Sequence, residues 1–172
     1  MRKGQALAYG IGGAAALILS FAITLWLTEP DLPPIEKIRL LQASAISDEI
    51  TLNSAARAAT LKNSPYVRGH VDVLNRVDGT SVNISGWATE TITIISRGAP
   101  IFVLVFSDGK NIMSAQTQGE RPDVTSALNL TSVAAKNVIF TGQLTCNPQQ
   151  KLIVAAATIS GTYAFLGQFM CP

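Results

Sequence analysis

The chain has 172 residues, of which 48% are hydrophobic and 14% are charged, a composition that fits one globular domain plus an appendage and argues against disorder. Its formal net charge of +2 comes from Arg2 and Lys3, since the rest of the chain holds equal numbers of basic and acidic residues. A chain with this balance lacks the basic surface that nucleic-acid binding requires, so we expect no nucleic-acid partner.

The first feature in chain order is an uncharged apolar run over residues 6–27. At about 1.5 Å of rise per residue, a helix of this length crosses a hydrocarbon core of roughly 30 Å. Basic residues precede the run and acidic residues follow it, which predicts a cytoplasmic N-terminus over residues 1–5. A signal peptide cleaved near Ser20–Ala22 is the alternative, but the run exceeds the usual length of a signal h-region. We predict an uncleaved transmembrane helix at 6–27.

The predicted span is rich in small residues at spacings that suit helix packing. Small side chains let two helices approach closely in lipid, where direct contact replaces the hydrophobic effect. We predict a packing face against transmembrane helices of partner subunits, or of a second copy, formed by Ala6, Gly10, Gly12, Gly13 and Ala16. The alternative is that glycine and alanine are simply common in membrane helices, so that membrane lipid is the neighbour.

Residues 28–66 combine a proline-rich exit with a helical neck. Pro33 and Pro34 suit the first positions of a helix, and a second helix start follows at Ser47. Apolar residues recur at helical spacing in both segments, so each helix should carry an apolar face that something must cover. Three arrangements fit this pattern: a rigid stalk, packing on the following domain, or packing on a neighbouring subunit.

At Val67 the apolar period changes from 3.6 to 2, which marks a strand-rich region. Turn residues such as Asp78-Gly79 separate short strands, and one long connection at 119–136 holds a predicted helical turn at 123–129. We predict a mainly β fold in which residues 67–172 form an antiparallel β-sandwich, Ig-like or jelly-roll-like. The predicted strands are 67–75, 80–89, 91–96, 101–107, 111–118, 137–145, 151–160 and 163–170.

The two cysteines, Cys146 and Cys171, both follow the predicted span. An even number of cysteines on the oxidising side of a membrane indicates one disulfide. A metal site needs more ligands than two cysteines and the single histidine, His70, so we expect neither a metal nor a cofactor. For a bacterial chain these features predict the inner membrane, with the sandwich domain in the periplasm.

Two groups of polar residues are the candidates for a reactive or binding site. His70 and Asp72 share one face of a predicted strand, and a carboxylate can orient an imidazole as a general base. No serine lies in a nucleophile elbow, so a surface pair is the better interpretation and we expect no catalytic residue. Arg121 can present a bidentate guanidinium to an anionic ligand, but we predict a structural ion pair between Arg121 and Asp123 that holds the long connection.

Trp87 poses a question of strand register. In strict alternation, Val82 and Ile84 face inward together with Gly86, and Trp87 faces outward. A glycine beside a tryptophan often marks a β-bulge, and one extra residue would turn Trp87 inward. We predict this bulge and a buried Trp87 that anchors the core. An exposed Trp87 would instead favour a site for a flat ligand.

Four short motifs follow one another in the first half of the strand region. They are Gly69-His-Val-Asp72, Ser85-Gly-Trp-Ala88, the segment 99–112 and Arg121-Pro-Asp-Val124. In this order they resemble a bacterial β-sandwich module attached to envelope and polysaccharide-related proteins, including some glycosyltransferases. The resemblance, which spans residues 68–125, implies a sandwich fold and a non-catalytic role.

These features together predict a non-catalytic protein rather than an enzyme. We expect an accessory or structural subunit of a larger inner-membrane complex, with its sandwich docked on the periplasmic side. The alternative is a membrane-anchored periplasmic module that binds glycan or polysaccharide. That alternative calls for exposed aromatic side chains, of which the predicted domain has few.

Overall fold

The computed structural model describes residues 32–91, 99–130 and 134–172. Pro33–Pro172 form one compact unit. The predicted strand at 91–96 falls almost wholly outside the described residues. The elements in chain order are α1 (Pro34–Ala43), α2 (Glu49–Ala58), β1 (Lys62–Asn63), β2 (Val67–Asp78), β3 (Ser81–Glu90), β4 (Phe102–Ser107), β5 (Lys110–Gln116), α3 (Pro122–Ala127), a 3-10 turn (Ala134–Lys136), β6 (Ile139–Thr145), β7 (Lys151–Ala157) and β8 (Thr162–Met170).

The predicted fold class was wrong in including a transmembrane helix. Among the described residues no helix is long and apolar enough to cross a membrane. The two longest, α1 and α2, have 10 residues each and therefore span about 15 Å, half of a hydrocarbon core. The run at 6–27 lies outside the described residues, as do the predicted packing residues Ala6, Gly10, Gly12, Gly13 and Ala16.

Two β-sheets form a sandwich-like arrangement. The five-stranded sheet has the order β1-β8-β7-β4-β5 and the three-stranded sheet the order β2-β3-β6. All pairs are antiparallel except β1 with β8, which is parallel. Buried side chains from the inner faces of both sheets meet in one hydrophobic core, which includes Val71, Val82, Ile84, Val103, Val105, Phe140, Leu144, Leu152 and Val154.

A second hydrophobic core lies on the other face of the five-stranded sheet, beneath α1 and α2. Leu104 and Phe106 of β4 and Ile153 of β7 pack there against Ile38, Leu41, Ile46, Leu52 and Ala56. The predicted helical segments therefore pack on their own domain, and the molecule has three layers: helices, five-stranded sheet, three-stranded sheet. We call α1 and α2 the helix layer. Because β4 and β7 are covered on both faces, nearly every side chain in them is buried.

The start of α2 shows why the chain becomes helical there. The N-terminal cap is Asp48, whose carboxylate accepts a hydrogen bond from the backbone N–H of Thr51 at 2.8 Å. The Thr51 hydroxyl in turn accepts from the backbone N–H of Asp48 at 3.0 Å, which completes a capping box. The hydrogen bond from the Thr51 backbone lowers the pKa of the Asp48 carboxyl.

The prediction that Trp87 is buried as a core anchor was wrong, because the bulge lies in the partner strand. Asp72 is the extra residue of β2, between the pairs Val71–Gly86 and Val73–Ser85, so β3 keeps strict alternation. Trp87 therefore faces outward and is half-buried.

Phe140 takes the place in the core that was predicted for Trp87. It lies opposite Gly86 across the β3–β6 pair and is fully buried. A Cβ at position 86 would lie 2.8 Å from the Phe140 ring, so only glycine leaves room for this side chain. The Gly-Trp-Ala segment thus makes space for an aromatic residue from the neighbouring strand.

The predicted disulfide between Cys146 and Cys171 is present, with an S–S distance of 2.00 Å. Cys146 follows β6 of the three-stranded sheet and Cys171 follows β8 of the five-stranded sheet, so the bond ties the two sheets together. The guanidinium of Arg76 lies beside it, with Nε donating to the Pro172 carbonyl at 3.0 Å. This end of the sandwich is therefore fixed by one covalent bond and by hydrogen bonds from β2.

Candidate functional site: the outer face of the three-stranded sheet

The three-stranded sheet turns one face to the core and the other, its outer face, away from both cores. No helix in the described ranges packs a hydrophobic core against this outer face. The strand register arranges its side chains in cross-strand rows. These rows are His70–Trp87–Ile139, Val73–Ser85–Thr141 and Asn75–Asn83–Gln143.

The bulge at Asp72 changes which side chains of β2 reach the outer face. Before the bulge, Val67 and Val71 point into the core, and His70 points outward. After the bulge, the inward and outward alternation of side chains shifts by one residue. Leu74 therefore packs against the core, and Val73 is 44% exposed. Strict alternation from His70 would instead place Val73 inside, on the side opposite His70.

The predicted ion pair between Arg121 and Asp123 is confirmed, and it has a third member. Nε and Nη2 of Arg121 donate to the two carboxylate oxygens of Asp123 at 2.8 and 2.6 Å. Nη1 of Arg121 donates to Oδ2 of Asp72 at 2.5 Å. Asp72 therefore pairs with Arg121, and the described contacts bring no His70–Asp72 pair together.

These contacts favour the charged forms of Arg121 and Asp123. Hydrogen bonds from Arg121 lower the pKa of the Asp123 carboxyl to about 2. Hydrogen bonds to Asp123 and then Asp72 raise the pKa of the Arg121 guanidinium above its ordinary value. The pair of Arg121 and Asp123 therefore stays ionised across the physiological range, and together with the Arg121–Asp72 contact it acts as a clamp.

The clamp holds the long connection over the outer face. We call residues 119–130 the strap. The strap begins beside β6, where Gly119 approaches the side chain of Ile139, and Arg121 reaches Asp72 on β2. The strap is thus tied at its start to β6 and, through the Arg121 side chain, to β2, the two strands that flank β3.

The outer face carries two features in different rows. The half-buried Trp87 lies in the row with His70 and Ile139, and a shallow pocket of about 490 Å³ lies at the rows of Ser85 and Asn83. The pocket is lined by Val73, Asn75, Asn83, Ile84, Ser85, Thr141 and Gly142. Ile84 and Gly142 occupy inward-facing positions, so their backbone atoms form the floor of the pocket. The outward-facing side chains of the other lining residues form its walls.

The polar wall residues of the pocket keep their hydrogen-bonding groups available. Within the described part of the chain, the side chains of Asn75, Asn83, Ser85 and Thr141 form no hydrogen bond and no ion pair. None of the lining residues is charged. Sequence reasoning did not single out these four residues, although the alternation in VNIS and FTGQ placed polar side chains on one face.

A second polar cluster lies where β3 ends, and it is internally satisfied. The Glu90 side chain, 5% exposed, accepts hydrogen bonds from Ser160 Oγ at 3.2 Å and Thr162 Oγ1 at 3.1 Å. Thr158 Oγ1 lies 2.6 Å from Ser160 Oγ. These bonds connect the end of the three-stranded sheet with the turn between β7 and β8, which is a structural role.

The helix layer presents a different kind of surface. Ile35 and Leu40 of α1 are exposed, and Ile50 at the second position of α2 is 76% exposed. Arg39 and Glu36 form an ion pair between the two apolar residues of α1. The side of the molecule opposite the pocket therefore carries the most exposed large apolar side chain of the described residues.

Within the described ranges, no group of three or more His, Cys, Asp or Glu side chains lies close enough to hold a metal ion. The charged contacts described include the clamp of Arg121 and the Glu36–Arg39 pair. The arrangement on the outer face is suited to hydrogen bonding with an uncharged partner.

Comparisons with known proteins add little to this description. No family model matches the chain, and no curated protein matches it. Among solved structures, the chain is similar to the archaellum periplasmic stator protein FlaG from Sulfolobus acidocaldarius, with a TM-score of 0.31 and 10% sequence identity, over 60% of this chain and 99% of that chain. A likeness of this size carries no argument about function.

Proposed function

We propose that the protein is a non-catalytic accessory subunit of a larger cell-envelope assembly, and that its helix layer docks on a partner protein of that assembly. The observation that carries the proposal is the exposure of Ile50, 76% of whose surface is open to solvent on a helix that buries Leu52 and Ala56 against the sheet. Burying an isoleucine side chain is worth about 1.5–3 kcal/mol, so a partner protein gains from covering it.

The other helix of the helix layer also suits a partner protein. Ile35 and Leu40 of α1 are exposed, and the ion pair of Arg39 with Glu36 lies between them along the helix. Apolar residues with a polar rim are typical of protein–protein interfaces. The partner surface we expect is apolar, with a polar rim that accepts this ion pair.

The disulfide supports a location outside the cytoplasm. Cys146 and Cys171 are both buried and bonded to each other, and such structural disulfides persist in oxidising compartments. We assign the folded domain to the periplasm, as part of the same proposal.

A site-specific crosslinking experiment tests the docking surface. A photoreactive amino acid replaces Ile50 in the full-length chain, and in separate variants it replaces Ser54 or Ala58, two exposed positions on the same helix. We expect a single crosslinked partner, identified by mass spectrometry, from position 50 and little or none from position 58.

The charge variant Ile50→Glu provides the second readout. It should lower the amount of the partner protein that copurifies with the chain roughly tenfold. A carboxylate that is buried in the interface without an opposite charge costs more than the lost apolar contact. The matched variant Ala58→Glu should leave recovery unchanged. If the wild-type chain runs as a monomer and recovers no partner, or if both variants behave alike, the proposal is wrong.

A further inference from the structure

We propose that the pocket on the outer face of the three-stranded sheet binds an uncharged saccharide. The pocket lies on the side of the molecule opposite the helix layer, so this inference does not depend on the docking surface proposed above. Its volume, about 490 Å³, is within the range of small-ligand sites, which is about 300–1,000 Å³.

The chemistry of the lining selects for hydroxyl groups. The amides of Asn75 and Asn83 each offer two donors and an acceptor, and the hydroxyls of Ser85 and Thr141 both donate and accept. Neighbouring hydroxyls of a sugar also donate and accept, so they can satisfy such a surface in several orientations. These four side chains have no hydrogen-bond partner among the described residues, so binding breaks no hydrogen bond within that part of the chain.

The spacing of the lining fits a ring with several hydroxyls. Side chains on adjacent strands lie about 5 Å apart and those two positions along a strand about 7 Å apart. Ser85 and Thr141 form one cross-strand row and Asn75 and Asn83 form the next, so four polar groups surround an area of one sugar ring. The exposed methyl groups of Val73 supply an apolar contact for the C–H face of that ring.

The electrostatics of the site exclude charged ligands. No lining residue is charged, and Arg121, which reaches Asp72 on β2, donates to the carboxylates of Asp72 and Asp123. Phosphate and carboxylate ligands require a free guanidinium, an ammonium or a helix N-terminus, and the pocket offers none of these. An uncharged saccharide is therefore the class that the lining fits.

Titration of the isotopically labelled full-length chain with maltotriose and with chitotriose tests the inference. We expect one of these uncharged trisaccharides, at concentrations up to tens of millimolar, to shift the NMR signals of the side-chain amides of Asn75 and Asn83. Trigalacturonate, a charged trisaccharide of similar size, should not shift them. Absence of any shift with both uncharged sugars, or equal shifts with trigalacturonate, would overturn the inference.

Variants locate the binding within the outer face. Asn83→Ala should weaken binding roughly tenfold, because it removes the hydrogen bonds of one amide. Thr141→Val keeps the shape and the strand preference of the residue and should weaken binding severalfold. Thr145→Val, on the same face of the same strand but outside the lining, is the matched control and should bind as wild type. Equal weakening by Thr141→Val and Thr145→Val would contradict a site in the pocket.

Discussion

The two sheets of this molecule differ in how many of their faces are covered. The five-stranded sheet is enclosed by the helix layer on one side and by the other sheet on the second side, and its strands β4 and β7 are buried almost throughout. The three-stranded sheet has one face in the core and one outer face with a strap, a pocket and free polar groups. The difference separates a sheet that supplies stability from a sheet whose outer surface is available for binding.

The largest expected effect is a loss of stability when a buried side chain on the helix side of the five-stranded sheet is truncated. Leu104→Ala removes a fully buried side chain beneath the helix layer and should lower the free energy of unfolding by about 2–5 kcal/mol, because it leaves a cavity. Thr141→Val on the outer face is the control and should change it by about 0.5 kcal/mol or less. Chemical denaturation of both variants measures the contrast. Equal losses would show that the two sheets do not differ in coverage.

An intermediate effect concerns the bond that joins the sheets. Replacing both Cys146 and Cys171 with serine should lower the free energy of unfolding by about 3 kcal/mol, because the unfolded chain regains the freedom of a loop with a sequence separation of 25. Denaturation with and without a reductant measures it. The reductant should destabilise the wild type by a similar amount and leave the double variant unchanged. A double variant clearly less stable than the reduced wild type would show that the serines act through packing instead.

The smallest expected effect is a pH dependence of the strap on the outer face. The folded-state pKa of Asp123 is lowered to about 2 from its ordinary value of 3.8, so its ion pair with Arg121 contributes stability above pH 3.8 that is lost as the pH falls toward 2. Asp123→Asn should therefore be less stable than wild type at neutral pH, and the two should converge near pH 2. Thermal unfolding between pH 7 and pH 2 measures the difference.

The exposed neighbour Glu120 provides the control for the strap. In the part of the chain that the structure describes, its side chain forms no ion pair, so Glu120→Gln should match wild type at every pH. A stability difference between wild type and Asp123→Asn that stays constant down to pH 2 would contradict the role of the ionised carboxylate.

Much of the fold follows from local patterns in the sequence. The predicted strand 151–160 is found as Lys151–Ala157, and the predicted helix start at Pro33 and Pro34 is found as α1. The disulfide followed from the even number of cysteines. The unbroken apolar run of β4, Phe102–Ser107, is the sequence signature of a strand covered on both faces, and it indicates the third layer.

The candidate site could not be predicted in the same way, because it depends on register between strands distant in sequence. A single extra residue at Asp72 in β2 decides that Val73 lines the pocket, and the absence of an extra residue in β3 keeps Trp87 outside the core. The partner of Arg121 across the sheet, Asp72, depends on the path of the strap. The need for glycine at position 86 can be explained only when Phe140 is known to lie opposite it.

The outward position of Trp87 gives the molecule a built-in optical reporter. The chain has two tryptophans, and Trp87 is the one within the described residues, half-buried in the row of the outer face next to the strap. Indole emission depends on the polarity around the ring, so lifting the strap or filling the neighbouring pocket should change its wavelength or intensity. A Trp26→Phe background would leave Trp87 as the single emitter, and events on the outer face could then be followed by fluorescence without an attached dye.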